Sequence, residues 1–464
     1  MARGEVEHIQ LVFPSKVNEE YRFTFDRNLK GIQISARELK KMNGYYDALV
    51  PFKNQLKCTD TLTAVWITVQ CPSRVPVGKY HQTIKIEGSK HFTIQLDYNV
   101  HHTTIPLKSS IPITVGVENR CVAEGLNDKE ADKERQRWVD FVLSYRMTPV
   151  FGTQITPERW QYEHSFSPWA WNDKRSIRLL NDRRYSCYML PFFTLSENEL
   201  ASLLCNIQKK GKLKESLFYI WDEPAYMEDY EQIKQKVNII RKYASDARIL
   251  TTFFCGPRNG PRKGDLYAVF DYLKHHIHVA TISLAPCKGN EEEVQHIRYK
   301  VPEGIDWWSY VCWQPGGNEP NFLLQMKGIQ QRAIMWRTWK NGSQGFLYWN
   351  CNIYHKRNPF TYITDMPHGD GILIYPGDIL GRKGPIASAR LERWRDGAEE
   401  MELLRLVEKN YSKEKADTLL NIVYSSPLSF IEKAHNIPFF RKELLDQLDK
   451  TIPIDYKLRI TDFI

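Results

Sequence analysis

The stretch IPITVGVE, residues 111–118, begins a regular alternation that decides how this chain folds. Its apolar and β-branched residues predict a buried strand. A helical pattern, ADKERQRWVDFVLSYRM (131–147), and a second strand-like run, TPVFG (148–152), follow it. Strand, helix and strand in this order are typical of a parallel sheet covered by helices.

Six further strand-like runs continue the alternation. They are SCYMLPFF (186–193), LFYIWDEP (217–224), RILTTFF (248–254), HVATISL (278–284), DWWSYVCW (306–313) and GFLYWN (345–350). Eight strand and helix units predict an α/β fold, a (β/α)8 TIM barrel, over residues 106–410. The barrel should end in a long amphipathic helix, IASARLERWRDGAEEMELLRLVEK (386–409), and residues 411–464 should form a helical C-terminal extension.

Residues 1–105 carry a different pattern, with little helical periodicity. Alternating runs such as TAVWITVQCP (63–72), GKYHQTIKIEG (78–88) and KHFTIQLDYNV (90–100) are joined by turn residues. Short alternating strands with hairpin turns predict a small antiparallel β-sandwich of the immunoglobulin-like kind.

Charge and hydropathy exclude several classes of function. The net charge of +9 is spread along the 464 residues, and no basic stripe interleaved with aromatics suggests a nucleic-acid surface. No run approaches the roughly 18 apolar residues of a membrane span. The first residues, MARGEVEHIQLVF, lack the apolar core of a signal peptide, so the compartment stays open between the cytoplasm and a secreted or periplasmic location. The pattern does not indicate an oligomeric state.

The nine cysteines show no C-x-x-C pair and no cysteine–histidine spacing that suits zinc, so we expect neither a metal nor a cofactor. Cys255, Cys312 and Cys351 fall at predicted strand ends, where a nucleophile could lie. A cysteine nucleophile needs a nearby cationic partner such as histidine, and no predicted strand end supplies one.

Two adjacent acids, Asp222 and Glu223, end the fourth predicted strand. The carboxyl ends of barrel strands carry the active site. Neighbours in a regular strand face opposite sides, but Pro224 interrupts the ladder and should bend the chain so that both acids reach the barrel mouth. The alternative is that the two acids only cap the helix that follows.

A retaining glycosidase normally needs a second carboxylate about 5 Å from the first, usually from another strand. The seventh strand here ends in Trp, Gln and Pro, the eighth ends without an acid, and Glu319 lies in a Gly-rich loop. A pair confined to one strand favours substrate assistance, in which the carbonyl oxygen of a 2-acetamido group attacks C1. Such an enzyme needs one general acid/base and one carboxylate that orients the amide.

Five aromatic residues near the last two strand ends could wall a sugar pocket. These candidate substrate-binding residues are Trp308, Tyr310, Trp313, Tyr348 and Trp349. About half should line the site, because alternate strand residues face the helices.

Four stretches together resemble glycoside hydrolase family 123 and related proteins that share its barrel. They are WDEPA (221–225), W-x-Y-x-x-x-x-P from Trp308 to Pro315, RAIMWRTWKNGSQGFLYWNCN (332–352), and DGILIYPG (370–377) leading to ARLERWRDGAEEMELL (389–404). The segment from VGKYHQTIKIEG to DYNVHHTTIP is similar to the sandwich that precedes the barrel in those proteins. The ordered set spans most of the chain.

The resemblance implies a retaining β-N-acetylgalactosaminidase that works by substrate assistance on a glycan with a terminal 2-acetamido sugar. Asp222 would stabilise the acetamide and Glu223 would be the general acid/base, with Trp308, Tyr310 and Trp349 in the pocket. The barrel itself does not fix the galacto or gluco configuration. Two alternatives remain: a glycosidase for another sugar that uses a second carboxylate elsewhere, and a glycan-binding protein without activity.

Overall fold

The computed structural model of this protein describes residues 1–25, 31–156, 161–354, 358–360 and 368–450. The N-terminal part contains eight strands, which confirms that antiparallel structure precedes the barrel. They are β1 (Val6–Pro14), β2 (Glu20–Phe25), β3 (Gln33–Met42), β4 (Tyr45–Pro51), β5 (Gln55–Lys57), β6 (Leu62–Gln70), β7 (Gly78–Glu87) and β8 (His91–Val100).

These strands form two antiparallel sheets, ordered β1-β6-β3-β4 and β5-β2-β7-β8. Their inward residues, such as Phe13 on β1, Ile67 on β6 and Ile84 on β7, join in one buried hydrophobic cluster. The alternation read from the sequence therefore places one face of each sheet in a shared core.

All eight predicted barrel strands are present and run parallel. A ninth strand, β11, pairs antiparallel with β10 and was not predicted. The nine are β9 (Ile113–Glu118), β10 (Thr148–Thr156), β11 (Gln161–Ser165), β12 (Tyr188–Met189), β13 (Ser216–Trp221), β14 (Arg248–Phe253), β15 (Val279–Ser283), β16 (Asp306–Val311) and β17 (Phe346–Tyr348). They form one sheet in the order β11-β10-β9-β17-β16-β15-β14-β13-β12. The Phe166 amide, just after β11, donates to the Met189 carbonyl on β12 at 2.7 Å, so the sheet nearly closes.

Helices cover the outside of this sheet, and a short hairpin and three helices complete the C-terminal part. The helices are α1 (Asn119–Ala123), α2 (Asp128–Ser144), α3 (Lys174–Leu179), α4 (Glu197–Lys209), α5 (Met227–Tyr243), α6 (Ala268–Leu273), α7 (Glu291–Lys300), α8 (Gly328–Lys340), α9 (Ala389–Asn410), α10 (Lys413–Leu420) and α11 (Ile437–Asp449). The hairpin joins β18 (Ile374–Pro376) to β19 (Pro385–Ala387). Among the helices of the described ranges, none has the length and apolar character to cross a bilayer. The end of the predicted helical extension, residues 451–464, lies outside the described residues.

Helix α9 differs from the amphipathic helix expected from its sequence, because its charged face is buried as well. Glu392, Asp396 and Glu400 are all less than a tenth exposed. Each is paired with a cation from another element: Arg37 lies 2.6 Å from Glu392, and Arg332 lies 3.2 Å from Asp396 and also contacts Glu400. Charges survive burial only when they are paired in this way. The helix is thus a central element between the N-terminal sheet and the barrel.

Candidate active site

A cleft of about 610 Å³ opens at the carboxyl ends of the barrel strands. Its size is within the range of small-ligand sites. Both predicted catalytic acids and three of the five predicted aromatic residues lie in its wall. The lining residues are Tyr162, Tyr219, Asp222, Glu223, Ala225, Tyr226, Thr252, Arg258, Tyr310, Cys312, Trp313, Leu347, Trp349 and Asp370.

A β-bulge in β13 turns Asp222 toward the cleft. The pairing of β13 with β14 shifts register between Tyr219 and Trp221. Tyr219 faces the barrel interior, whereas Trp221 packs outside, with Lys236 of α5 at 5.3 Å from its ring. One extra residue in a strand inverts the alternation that follows it. Asp222 therefore points inward, where an unbroken strand would have pointed it toward the helices.

Glu223 reaches the same cleft by a different route. Its φ of +45° lies in the left-handed region, which few residues other than glycine adopt. The chain does bend after the strand, but it does so through the bulge and this backbone conformation together. A left-handed non-glycine residue costs of order 1–3 kcal/mol, and such residues are enriched at active sites.

The two acids do not cap the helix that follows them. The cap of α5 comes from Asp229, whose Oδ2 accepts from the backbone amides of Ala225 and Tyr226, both at 2.9 Å. Asp222 and Glu223 are therefore left free of that structural task.

Two hydroxyl groups hold the Asp222 carboxylate in place. The Tyr219 hydroxyl and the Thr252 hydroxyl each donate to its Oδ1 at 2.7 Å. Thr252 Oγ1 also accepts from the Glu223 amide at 3.0 Å, so one threonine on β14 orients both acids. Burial and the Asp222 charge raise the pKa of Tyr219 well above its ordinary value, which keeps this hydroxyl a donor.

Glu223 is positioned and charged differently from its neighbour. Burial and the negative charge of Asp222 raise its pKa to about 7, against the opposing effects of a hydrogen bond from Tyr310 and the charge of Arg258. The Tyr310 hydroxyl donates to Glu223 Oε1. A carboxyl group that is partly protonated near neutral pH suits general acid/base work.

The structure separates the five predicted aromatic residues into two groups. Tyr310, Trp313 and Trp349 lie in the cleft wall, and Trp313 is 42% exposed at the rim. Trp308 is 1% exposed in the barrel core, with its indole against the backbone of Gly345, so its position does not support contact with a substrate. Tyr348 is fully buried and packs against Phe322, and it is not among the residues that line the cleft.

A smaller cavity of about 70 Å³ adjoins the cleft and shares Tyr219, Asp222 and Trp349 with it. Its far wall includes Met189 and the imidazole of His164, which stacks on Tyr219 with 4.3 Å between ring centroids. Burial lowers the pKa of His164 to about 3, so this imidazole is neutral and does not act as an acid at ordinary pH.

Several residues that line the cleft were not among the residues predicted from the sequence. Tyr219 and Thr252 are on neighbouring strands and could have been found by asking which hydroxyls share a strand end with Asp222. Arg258 follows β14, and its backbone amide donates to the Ala225 carbonyl at 2.7 Å. Asp370 lies in the quoted DGILIYPG motif, in the loop after the eighth strand, and the local sequence does not show that this loop returns to the cleft.

Two of the three cysteines at predicted strand ends, Cys312 and Cys351, are unsuited to nucleophilic attack. Burial raises the pKa of Cys312 and of Cys351 far above the ordinary range, so both thiols remain protonated. Only a thiolate attacks efficiently.

Comparison with protein families gives one match. The family model described as the glycoside hydrolase 123 catalytic domain matches residues 133–407, more than half of the chain. No curated protein sequence matches the chain.

The solved structures that match this chain include three glycoside hydrolases, of which the first has a TM-score above 0.5. A family 123 glycoside hydrolase from Clostridium perfringens, described for glycolipid glycan hydrolysis, is 13% identical with a TM-score of 0.67, covering 97% of this chain and 92% of that one. A GH5 xyloglucanase from Bacteroides ovatus is 10% identical with a TM-score of 0.28, covering 86% and 97%. An FMN-binding β-glucuronidase from Facaelibacterium prausnitzii L2-6 is 10% identical with a TM-score of 0.36, covering 85% and 61%.

Proposed function

This chain belongs to glycoside hydrolase family 123, and from that premise we propose that it is a retaining β-N-acetylgalactosaminidase that works by substrate assistance. Glu223 protonates the departing oxygen and then deprotonates water. Asp222 orients the 2-acetamido group, whose carbonyl oxygen attacks C1, and stabilises the positive charge of the oxazoline-like intermediate. The substrate is a glycan with a terminal β-linked 2-acetamido sugar.

The observation that carries this proposal is the different surroundings of the two adjacent acids in one cleft. Asp222 accepts two hydrogen bonds from Tyr219 and Thr252, while the pKa of Glu223 is raised to about 7. Two carboxyl groups with unlike surroundings can divide the acid and the stabilising roles between them.

The walls of the cleft are consistent with a sugar that carries an acetamide. Trp349, Tyr219 and Asp222 line both the cleft and the adjoining 70 Å³ cavity, and the methyl and carbonyl of an acetamido group would enter that cavity. Trp313 at the rim, with Phe254 stacked on it at 6.3 Å, offers a flat surface to the leaving group. Trp308 and Tyr348 support these walls from behind.

We also propose a finer description of the architecture. The nearly closed sheet of eight parallel strands and the hairpin strand β11 is a (β/α)8 barrel over residues 106–410, with its seam between β11 and β12. The two N-terminal sheets form an immunoglobulin-like sandwich over residues 1–105, and the helices from residue 411 onward form an extension. The shared core of the two sheets and the parallel order of the eight strands support this division.

The substrate proposal is tested with a panel of aryl β-glycosides. Galactosides and glucosides, each with a 2-acetamido or a 2-hydroxyl group, are compared by kcat/KM. We expect turnover only of the 2-acetamido members, because the nucleophile is part of the substrate. Equal turnover of a 2-hydroxyl glycoside and its 2-acetamido analogue would contradict substrate assistance. Binding of the sugars without any turnover would instead identify a glycan-binding protein.

A pH profile of Tyr310→Phe tests the assignment of Glu223. The acid must be protonated to act, so kcat/KM of the wild type should fall as pH rises through about 7. The Tyr310 hydroxyl stabilises the ionised carboxylate and lowers its pKa, so removal of this donor should move the alkaline limb to higher pH.

The matched control is Tyr411→Phe, whose hydroxyl donates to the Gln447 carbonyl away from the cleft. That variant should keep the wild-type profile. An alkaline limb that stays in place in Tyr310→Phe, or moves to lower pH, would remove Glu223 from the acid role.

A further inference from the structure

Asp370 is a buried acid in the cleft wall that the mechanism above does not use. It lies in the segment before β18, is 4% exposed, and borders the same cleft as Asp222 and Glu223. Its Oδ1 accepts from the Trp349 indole at 3.0 Å and from the Tyr348 hydroxyl at 3.2 Å. Its Oδ2 is buried and has no hydrogen-bond partner among the residues that the structure describes.

The segment that carries Asp370 is held on both sides. The Arg390 guanidinium donates to the Gly369 carbonyl at 2.9 Å and forms an ion pair with Asp47 of β4, also at 2.9 Å. On the other side, the Gly371 amide donates to the Tyr348 hydroxyl at 2.9 Å. A Cβ atom at Gly371 would lie 2.6 Å from Trp349 Cζ2, so the glycine lets the indole pack against this segment. The carboxylate is therefore preorganised before any ligand binds.

A carboxylate oxygen without a donor is costly in a buried position. An unsatisfied charged group of this kind loses solvation that no protein contact replaces. Burial raises the pKa of Asp370 to about 6, so the group is still mostly ionised at neutral pH. An ionised carboxylate only accepts hydrogen bonds, and the ring hydroxyls of a sugar are the donors that a glycosidase cleft receives.

We propose that Asp370 Oδ2 accepts a hydrogen bond from one ring hydroxyl of the sugar bound beside Trp349, and that Asp370 thereby selects the sugar. This inference rests on the proposed glycosidase function. In this arrangement Trp349 provides the apolar surface for the sugar ring. The Asp370 carboxylate, which accepts from the Trp349 indole nitrogen, hydrogen-bonds to one hydroxyl of that ring. A site built to bond a hydroxyl discriminates strongly against an analogue that lacks it.

The test compares the effect of removing one sugar hydroxyl on kcat/KM in the wild type with the same effect in one variant. The wild type and Asp370→Asn are assayed on the aryl β-glycoside that the wild type hydrolyses best, and on its 3-, 4- and 6-deoxy and deoxyfluoro analogues. Asparagine keeps an acceptor for Trp349 and Tyr348 but replaces the free acceptor with a donor. We expect one position at which the analogues lose about 10- to 100-fold more kcat/KM in the wild type than in the variant, the usual range for a hydrogen bond to a charged group.

At that position the fluoro analogue should be a poorer substrate of the wild type than the deoxy analogue, because the partial negative charge of fluorine would face the carboxylate, which only accepts hydrogen bonds. The variant should lose this preference because its amide can donate to fluorine.

The matched control is Asp378→Asn, an exposed acid eight residues along the chain, which should show the wild-type pattern. The melting temperature of Asp370→Asn shows whether the variant is folded. If it is not, Tyr348→Phe, which removes one of the donors to Oδ1, is used in its place and should reduce the same penalty.

If each modified substrate loses the same fraction of kcat/KM in the wild type and in the folded variant, the proposal is overturned. Asp370 would then serve only to position the Trp349 indole. Loss of all activity in folded Asp370→Asn would also overturn the proposal, because Asp370 would then be needed for the reaction itself and not for one hydroxyl of the sugar. The proposed function can fail separately. If only plain glycosides are hydrolysed, the same analogues of the plain sugar test Asp370, and if nothing is hydrolysed, calorimetric titration with the free deoxy sugars tests it.

Discussion

Glu223→Gln should lower kcat/KM for a β-glycoside with an alkyl leaving group by about 10²- to 10⁴-fold, the usual contribution of a positioned general acid. Glutamine is close in size and can still accept the hydrogen bond from Tyr310, so the cleft should keep its shape. What is lost is the proton that Glu223 holds up to a pH of about 7. The measurement is steady-state kinetics on a series of leaving groups.

The dependence on the leaving group separates a lost acid from a damaged fold. A strongly acidic phenol departs with little help from a proton, so Glu223→Gln should lose much less activity on its glycoside than on the alkyl glycoside. Glu231→Gln is the matched control, since this exposed glutamate of α5 pairs with Lys234 outside the cleft. A uniform loss over all leaving groups would contradict the assignment.

Asp222→Asn should reduce kcat/KM on the 2-acetamido substrate by about 10²- to 10³-fold, a loss similar to that of one preorganised electrostatic contact in other active sites. The amide can still accept from Tyr219 and Thr252, but it no longer carries the charge that stabilises the oxazoline-like intermediate. A thiazoline inhibitor resembles that intermediate. Its affinity should therefore fall by a factor close to the fall in kcat/KM.

The same variant should also change the pH profile. The negative charge of Asp222 raises the pKa of Glu223, so its removal should move the alkaline limb to lower pH, opposite to the shift expected for Tyr310→Phe. Asp246→Asn, an exposed acid before β14, should change neither inhibitor affinity nor the profile. An unchanged thiazoline affinity in Asp222→Asn would remove the stabilising role from Asp222.

The order of elements could be predicted because it depends on local patterns. Apolar runs such as IPITVGVE and helical spacing such as ADKERQRWVDFVLSYRM fix the type of each element over a few residues, and all eight parallel strands were found in this way. Strand β11 was not predicted because it is a five-residue hairpin partner of β10, and it lies in the connection between the second and third predicted strands. The sequence of helix α9 mixes charged with apolar residues and so predicts an amphipathic helix. It does not show that Arg37 and Arg332 cover the charged side.

The residues of the candidate site could also be predicted in part. The sequence places Asp222 and Glu223 at a strand end, and strand ends are where barrel sites lie. It also names five aromatic residues near the mouth, but strand alternation alone did not tell which of them face the cleft. Trp308 lies one level deeper than Tyr310 on the same face of β16, so the same pattern places one in the core and the other beside Glu223.

By itself, then, the sequence determined the succession of strands and helices, the strand that ends in two acids, and the resemblance to family 123 that the family model confirms. Only the tertiary structure decided how those acids face one cleft, through a bulge and a left-handed Glu223, and which third acid joins them. The physical reason is that these features depend on contacts between residues far apart in the chain. Asp370 meets the cleft because Arg390 and Asp47 hold its segment there, and no local pattern encodes that contact.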